Sequence, residues 1–273
     1  MNSLEYVADI KKEMMLKEYL PTLGLSVTLI KKIKRAGIFV DGVPCTVRAK
    51  IKCGSKITLC LPEEKSEGIP PIEIPLNIVY EDDWILVVDK PTNMPTHPSR
   101  GNSLPTLANA VMAKFDGDFV FRSITRLDRD TSGLVLIAKD ANTANRLSTE
   151  IKQGRMYKKY EALISGVPKN EHDIIDAPIR REEEGSMKRI VAPDGKAAIT
   201  EFWVKEIRNG NAVCDVILHT GRTHQIRVHF AHIGHPLLGD FLYGERRDEG
   251  YYLRCRELRF KHPQNGEELI ITI

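Results

Sequence analysis

Two short stretches of the 273-residue chain concentrate side chains able to do chemistry. The first is TRLDRDTSG, residues 125–133, in which Asp128 and Asp130 sit among Arg126 and Arg129 just ahead of an apolar run. An opposite charge within about 4–6 Å favours the ionised form of a carboxylate. Such a carboxylate at a strand edge can serve as nucleophile or base. The same residues also describe a surface loop of compensating ion pairs, with Arg126 paired to Asp130. The second stretch is GRTHQIRVHFAHIGHPLLGDFLYG, residues 221–244, which holds Arg222, His224, Gln225, Arg227, His229, His232 and His235. Its histidine density raises the question of a metal. Yet His229, His232 and His235, at i, i+3 and i+6, do not share one helix face, and no carboxylate interleaves His224 to His235. The expectation is therefore no metal site, with His232 and His235 capping and packing a helix end before Pro236.

Other chemistries lack their local signatures. The chain has no G-x-x-x-x-G-K-[ST] loop, no G-x-G-x-x-G after a strand, no H-E-x-x-H and no G-x-S-x-G. Hydrophobic residues at 42% and charged residues at 28% exclude a wholly disordered chain. The longest apolar stretches, such as Trp84 to Val88 and Leu134 to Ala138, fall far short of the ~20 residues that span a bilayer. The opening MNSLEYVADIKKEMM lacks the apolar centre of a secretory signal. Five cysteines, an odd number with no C-x-x-C pair, fit free and mostly packed thiols in a reducing cytoplasm.

Stepping along the chain, residues 10–36 read as helical, with Ile10, Met14, Leu16 and Leu20 near helical spacing and Pro21 as an interruption. Ser26 is the expected N-cap of a second helix that stops at Gly37, with Val27, Ile30 and Ile33 facing one way. Asp41-Gly42 is a hairpin turn signal, followed by strand-like alternation to Leu61. This unit is basic. Residues 1–60 carry eleven Lys and Arg against five Asp and Glu, a net +6, while the rest carries 29 against 32, a net −3. A basic module on a near-neutral body suits a polyanion, although Lys31, Lys32, Lys34 and Arg35 equally describe a solvated helix face.

Residues 62–75, rich in proline and charge, read as a linker. Beyond it come a buried-type strand in IVYEDDWILVVDKP, the strand LVLIAK, a helix capped by Asp140 with Ala144, Leu147 and Ile151 on one face, and the strand MYKKYEALISG. Strands mix with isolated helices without regular βα alternation, which predicts an α+β fold.

Together the two reactive stretches resemble the RluA-type family of RNA pseudouridine synthases. Its R-L-D-x-x-T-S-G loop is matched by Arg126, Leu127, Asp128, Thr131, Ser132 and Gly133. Its G-R-T-H-Q-I-R-V-H, G-H-P and G-D-x-x-Y-G motifs run from Gly221 to Gly244, and a K-x-Y-x-A strand is matched by Lys158, Tyr160 and Ala162. The likeness covers about residues 76–273. One departure is Thr125, where many members have His. Residues 1–61 more weakly resemble an S4-type RNA-binding domain, with Ser55 where Asp is common.

The resemblance implies a mixed, largely antiparallel central sheet with flanking helices at 76–273 and a small α/β S4-like unit at 1–61. It implies that uridine in ribosomal or transfer RNA is flipped out and isomerised to pseudouridine, with no cofactor. Asp128 would be the nucleophile or base, and Tyr160 would stack on the uracil. Arg227, or else Arg222, would be the buried partner of Asp128. Arg126, Arg222, Leu218 and Thr131 would contact substrate, and Lys31, Lys32, Lys34 and Arg35 would bind RNA. A cytoplasmic monomer without membrane contact is the default. The competing expectations are a non-catalytic RNA-binding or ribosome-assembly factor and a histidine-metal hydrolase.

Overall fold

The computed structural model describes residues 3–25, 27–61, 68–99, 105–245 and 250–273. The expected N-cap Ser26 and residues 62–67 of the expected linker lie outside these. The described residues up to Leu61 gather round their own apolar cluster, which includes Leu16, Leu20, Leu29, Ile33, Ile51, Ile57 and Leu59. An antiparallel sheet lies beside it in the order Ser3–Val7, Lys56–Cys60, Ile38–Val40, Val43–Pro44. The hairpin turn falls at Asp41-Gly42, both at positive φ (52° and 80°), as a tight two-residue turn demands. The Asp41 carboxylate accepts the Lys56 N–H at 2.7 Å and fixes the turn to the neighbouring strand.

The helix Val27–Ala36 (α1) buries Leu29 and Ile33 and leaves Lys31, Lys32, Lys34 and Arg35 exposed. Val27 is 71% exposed, so the apolar face runs through Leu29, Ile30 and Ile33 rather than through Val27. The helix expected from residue 10 shrinks to one turn, Leu16–Tyr19, and a 3₁₀ turn, Leu20–Leu23. Met14–Met15 instead pairs with Lys50–Ile51. Pro21 withholds a backbone donor, and non-local strand pairing wins over weak helical spacing.

Among the described residues beyond Leu61, ten strands form one sheet. Its strands are β1 (Ile78–Glu81), β2 (Ile85–Lys90), β3 (Arg122–Ser123), β4 (Ser132–Ala138), β5 (Tyr157–Ile164), β6 (His172–Asp176), β7 (Ile199–Arg208), β8 (Asn211–Leu218), β9 (Leu253–Lys261) and β10 (Glu268–Thr272). The order is β6-β7-β8-β5-β9-β4-β2-β1, with β10 on β9 and β3 on β4. Only β4 and β9 run parallel among the pairs described. The expected α+β, largely antiparallel architecture is thus present.

Residues 85–88 and 134–138 are fully buried, as runs without alternation require. Three helices pack around the sheet: α2 (Leu107–Lys114), α3 (Ala141–Lys152) and α4 (Gln225–His232). Asp140 caps α3 as expected, accepting the N–H groups of Asn142 and Thr143 at 2.8 and 2.9 Å. The sequence reading missed α2, although Thr106 and Asn109 form a reciprocal capping box at its start. It also missed the hairpin of Ile179–Arg181 with Arg189–Val191, which packs beside α4 through Ile179 and Val228. No helix among the described residues is long and apolar enough to cross a membrane.

The parallel contact between β4 and β9 depends on one residue. Gly133 sits at φ +108°, and a Cβ there would lie 2.3 Å from the Cys255 oxygen and 2.5 Å from its nitrogen. Gly133→Ala is therefore expected to cost about 3 kcal/mol or more, from backbone strain plus the clash. A urea denaturation curve checks this; an unchanged midpoint would show that the strands part without penalty.

Candidate active site

The loop between β3 and β4 carries Asp128, and a second loop, residues 90–96, holds it in place. Thr96 Oγ1 donates to the Leu127 carbonyl at 2.8 Å, and Thr92 Oγ1 donates to the Asp130 carbonyl at 3.0 Å. Met94 N–H donates to the Arg129 carbonyl at 3.1 Å. Lys90, fully buried, donates to the carbonyls of Pro91, Met94 and Arg129 at 2.8, 2.7 and 3.1 Å. Three carbonyl oxygens thus take the place of water around a buried ammonium. Burial lowers its pKa to about 8, against the pull of Asp130, Asp128 and Asp89. Thr125 is buried and its hydroxyl accepts the Leu136 N–H at 2.9 Å, so the residue that departs from the family pattern ties the loop to β4.

Helix α4 supplies the cation. Arg227 is 3% exposed, and its Nη1 lies 3.5 Å from Asp128 Oδ2. Its principal partner is a residue the sequence reading did not single out. Asp240, with no exposed surface, takes a two-pronged pair from Arg227 at 2.6 Å (Nε to Oδ2) and 2.8 Å (Nη2 to Oδ1). Burial opposes the charged guanidinium, and the Asp240 bonds, joined by electrostatic attraction to Tyr251, Asp240 and Asp128, together outweigh it and raise its pKa. Arg227, expected as the buried partner of Asp128, is thus shared between Asp240 and Asp128. Asp240 fixes the guanidinium, and the remaining nitrogen faces Asp128. The signal was in the sequence, because Asp240 is the acid of the G-D-x-x-Y-G stretch.

Tyr160 enters from β5, between Val216 on β8 and Cys255 on β9, where the register with β9 shifts. It is 6% exposed, and burial raises its hydroxyl pKa well above the ordinary value. Asp128, Tyr160, Arg227, Arg126, Arg222, Leu218 and Thr131 all line one cavity of about 300 Å³. Within it Arg126 and Arg222 are exposed, Leu218 is half-buried and Thr131 is buried against the Tyr251 hydroxyl at 3.2 Å.

Arg222 turns from Asp128, its Nε donating to the Ala197 carbonyl at 2.9 Å. Asp130 pairs with Arg129, both contacts at 2.9 Å, and not with Arg126. The basic residues of α1 are not in this cavity. The histidines serve separate purposes. His229 is buried between Thr200 Oγ1 (2.8 Å) and the Ala177 carbonyl (2.9 Å), and His235 reaches the Ser165 carbonyl at 2.9 Å. His224 lines the cavity 3.8 Å from Asp128 Oδ2.

Residues 84–232 match the sequence profile of the family described as RNA pseudouridylate synthase. The chain is 37% identical over 264 residues to the uncharacterized RNA pseudouridine synthase YjbO of Bacillus subtilis, covering 94% of this chain and 93% of that one. It is 37% identical over 254 residues to the ribosomal large subunit pseudouridine synthase D of Haemophilus ducreyi, covering 86% and 77%. Among solved structures, the human RNA pseudouridylate synthase domain containing 1 superposes with a TM-score of 0.61 at 30% identity, over 73% of this chain and 83% of that one.

The buried ammonium of Lys90 gives the site a pH signature. Between pH 8 and 10.5 the unfolded chain keeps a proton on this amine that the folded chain releases. Stability attributable to Lys90 therefore rises with pH across that window, with a slope approaching about 1.4 kcal/mol per pH unit. Comparing chemical denaturation of the wild type with Lys90→Met from pH 7 to 10.5 isolates this slope. Equal pH dependence in the two proteins would contradict it.

Proposed function

The chain belongs to the RNA pseudouridylate synthase family, whose reaction isomerises uridine in RNA to pseudouridine, and from that premise we propose that Asp128 is the reacting carboxylate in the cavity beneath Arg126 and Arg222. The observation that carries this reading is the convergence of Asp128, Arg227 and Tyr160, drawn from three separate elements, on one cavity of about 300 Å³. That volume suits a single nucleobase and not a duplex, so the uridine must leave its stack, at a cost of a few kcal/mol. In the isomerisation the bond from N1 to C1′ breaks, the uracil rotates and C5 bonds to C1′. The proton lost from C5 is balanced by the one N1 gains. No group is transferred from outside, and nothing is oxidised.

Each wall has a task in this reading. Arg227 Nη1 beside Oδ2 orients the carboxylate that attacks or deprotonates. Tyr160, kept a neutral phenol by burial, offers a flat face to the extruded uracil. Leu218 closes the apolar side, and Thr131 orders the loop and borders the ring. Arg126, exposed at the mouth, fills the space the base vacates or holds the adjacent phosphate, while Arg222 meets a second phosphate.

The S4-like unit at residues 1–61 adds affinity through the exposed Lys31, Lys32, Lys34 and Arg35 of α1. The relative from Haemophilus ducreyi is named for the large ribosomal subunit, which favours ribosomal RNA over transfer RNA as the substrate. The enzyme acts as a monomer in the cytoplasm and needs no cofactor.

Asp128→Asn should leave the fold intact and abolish pseudouridine formation on large-subunit ribosomal RNA, scored by chemical mapping of the product. Turnover near the wild-type rate would remove the carboxylate from the mechanism. Reversing the four α1 charges to Glu should raise KM more than it lowers kcat and flatten the dependence of binding on salt. An unaltered salt slope would place RNA contact elsewhere.

A further inference from the structure

We propose that His224 is a positioning residue of this reaction: Tyr243 holds it as the neutral Nε2–H tautomer, and it steers the Asp128 carboxylate so that Oδ1 faces the flipped nucleotide. The inference deepens the reading of Asp128 as the reacting group and rests on it.

The hydrogen-bond inventory assigns the tautomer. The Tyr243 oxygen accepts the Arg189 backbone N–H at 2.9 Å and lies 2.8 Å from His224 Nδ1. The phenol has one proton, and Nδ1 is the acceptor placed to receive it. A neutral imidazole carries one N–H, so the proton of His224 sits on Nε2. That nitrogen is the one directed at Asp128, 3.8 Å from Oδ2. Burial also lowers the pKa of the ring and so favours its uncharged form, with Asp128 and Asp240 opposing and Arg227 and Arg189 assisting.

Two donors therefore address the same oxygen, Arg227 Nη1 at 3.5 Å and His224 Nε2 at 3.8 Å. Both distances exceed that of a normal hydrogen bond, as is common in a free enzyme whose catalytic contacts tighten on binding. With Oδ2 facing both groups, Oδ1 is the oxygen offered to substrate.

The backbone gives a second, independent observation. His224 occupies the N-cap of α4 at φ +58°, a left-handed conformation that costs a non-glycine residue about 1–2 kcal/mol. Its side chain makes no capping bond to the helix. Neither helix initiation nor backbone comfort accounts for histidine here. The two ring nitrogens, one on Tyr243 and one toward Asp128, do.

The test combines a spectroscopic and a kinetic readout on the full-length enzyme. Nitrogen-15 NMR of the imidazoles near neutral pH should show His224 protonated at Nε2 and bare at Nδ1 in the wild type, and a tautomer mixture in Tyr243→Phe. His224→Ala should lower kcat about 10- to 100-fold with KM within about threefold. His224→Gln, which keeps an N–H near the Nε2 position, should recover part of that loss. Asp128→Asn serves as the control. If it stays active, the reading of Asp128 fails, whatever His224 does. If it is inactive while His224→Ala turns over at the wild-type kcat, or if the wild-type ring is protonated at Nδ1, the positioning role is overturned and the reading of Asp128 stands.

Discussion

The site is organised around a buried ion pair. Arg227 and Asp240 meet through two hydrogen bonds where neither has appreciable solvent contact. A buried pair adds little net stability, because desolvation offsets the attraction, yet losing one partner costs about 3–5 kcal/mol. The pair therefore acts as a constraint on geometry. Two of the guanidinium's nitrogens are committed to Asp240, and only the third can face Asp128. Aromatic rings complete the enclosure, with Tyr251, Tyr243 and Phe241 centred 4.6, 5.0 and 5.8 Å from the guanidinium carbon. They supply a polarisable wall where water would otherwise screen the charge.

Asp240 also orders its own surroundings. Its Oδ1 accepts the N–H groups of Leu242 and Tyr243 at 3.0 and 3.3 Å, which sets the turn that brings the Tyr243 ring beside Arg227 and its hydroxyl to His224. The acid that neutralises the cation thereby places the phenol beside the imidazole. On the opposite side, Lys90 does for the Asp128 loop what Asp240 does for the helix. It gathers carbonyls from two loops around one buried charge. The Asp128 carboxylate is held between two rigid supports, which limits the reorganisation required when a ligand arrives.

The comparison of sequence with structure is instructive at particular residues. Asp128, Tyr160 and Arg227 were legible because their motifs are long, and the cavity they share gathers every substrate-contact residue read from the sequence. The hairpin at Asp41-Gly42 and the cap at Asp140 were legible because each is a local arrangement. The helix expected from residue 10 begins only at Leu16, since Met14–Met15 is claimed by Lys50–Ile51, a partner some 36 residues away that no local window contains. Helix α2 was missed although its cap is local, because its six buried residues give it no polar face to betray a helical period.

What the sequence determined by itself was the family, the α+β class and the candidate residues of the site, because these are carried by residue type and short spacing. What the tertiary structure decided was who pairs with whom. The surface pairing expected of Arg126 with Asp130 belongs instead to Arg129, and Arg227 rather than Arg222 is the guanidinium that lies beside Asp128. Charge attraction falls off with distance and depends on burial, and both are set by contacts between residues as far apart as Asp128 and Arg227. No reading of neighbours along the chain contains that information.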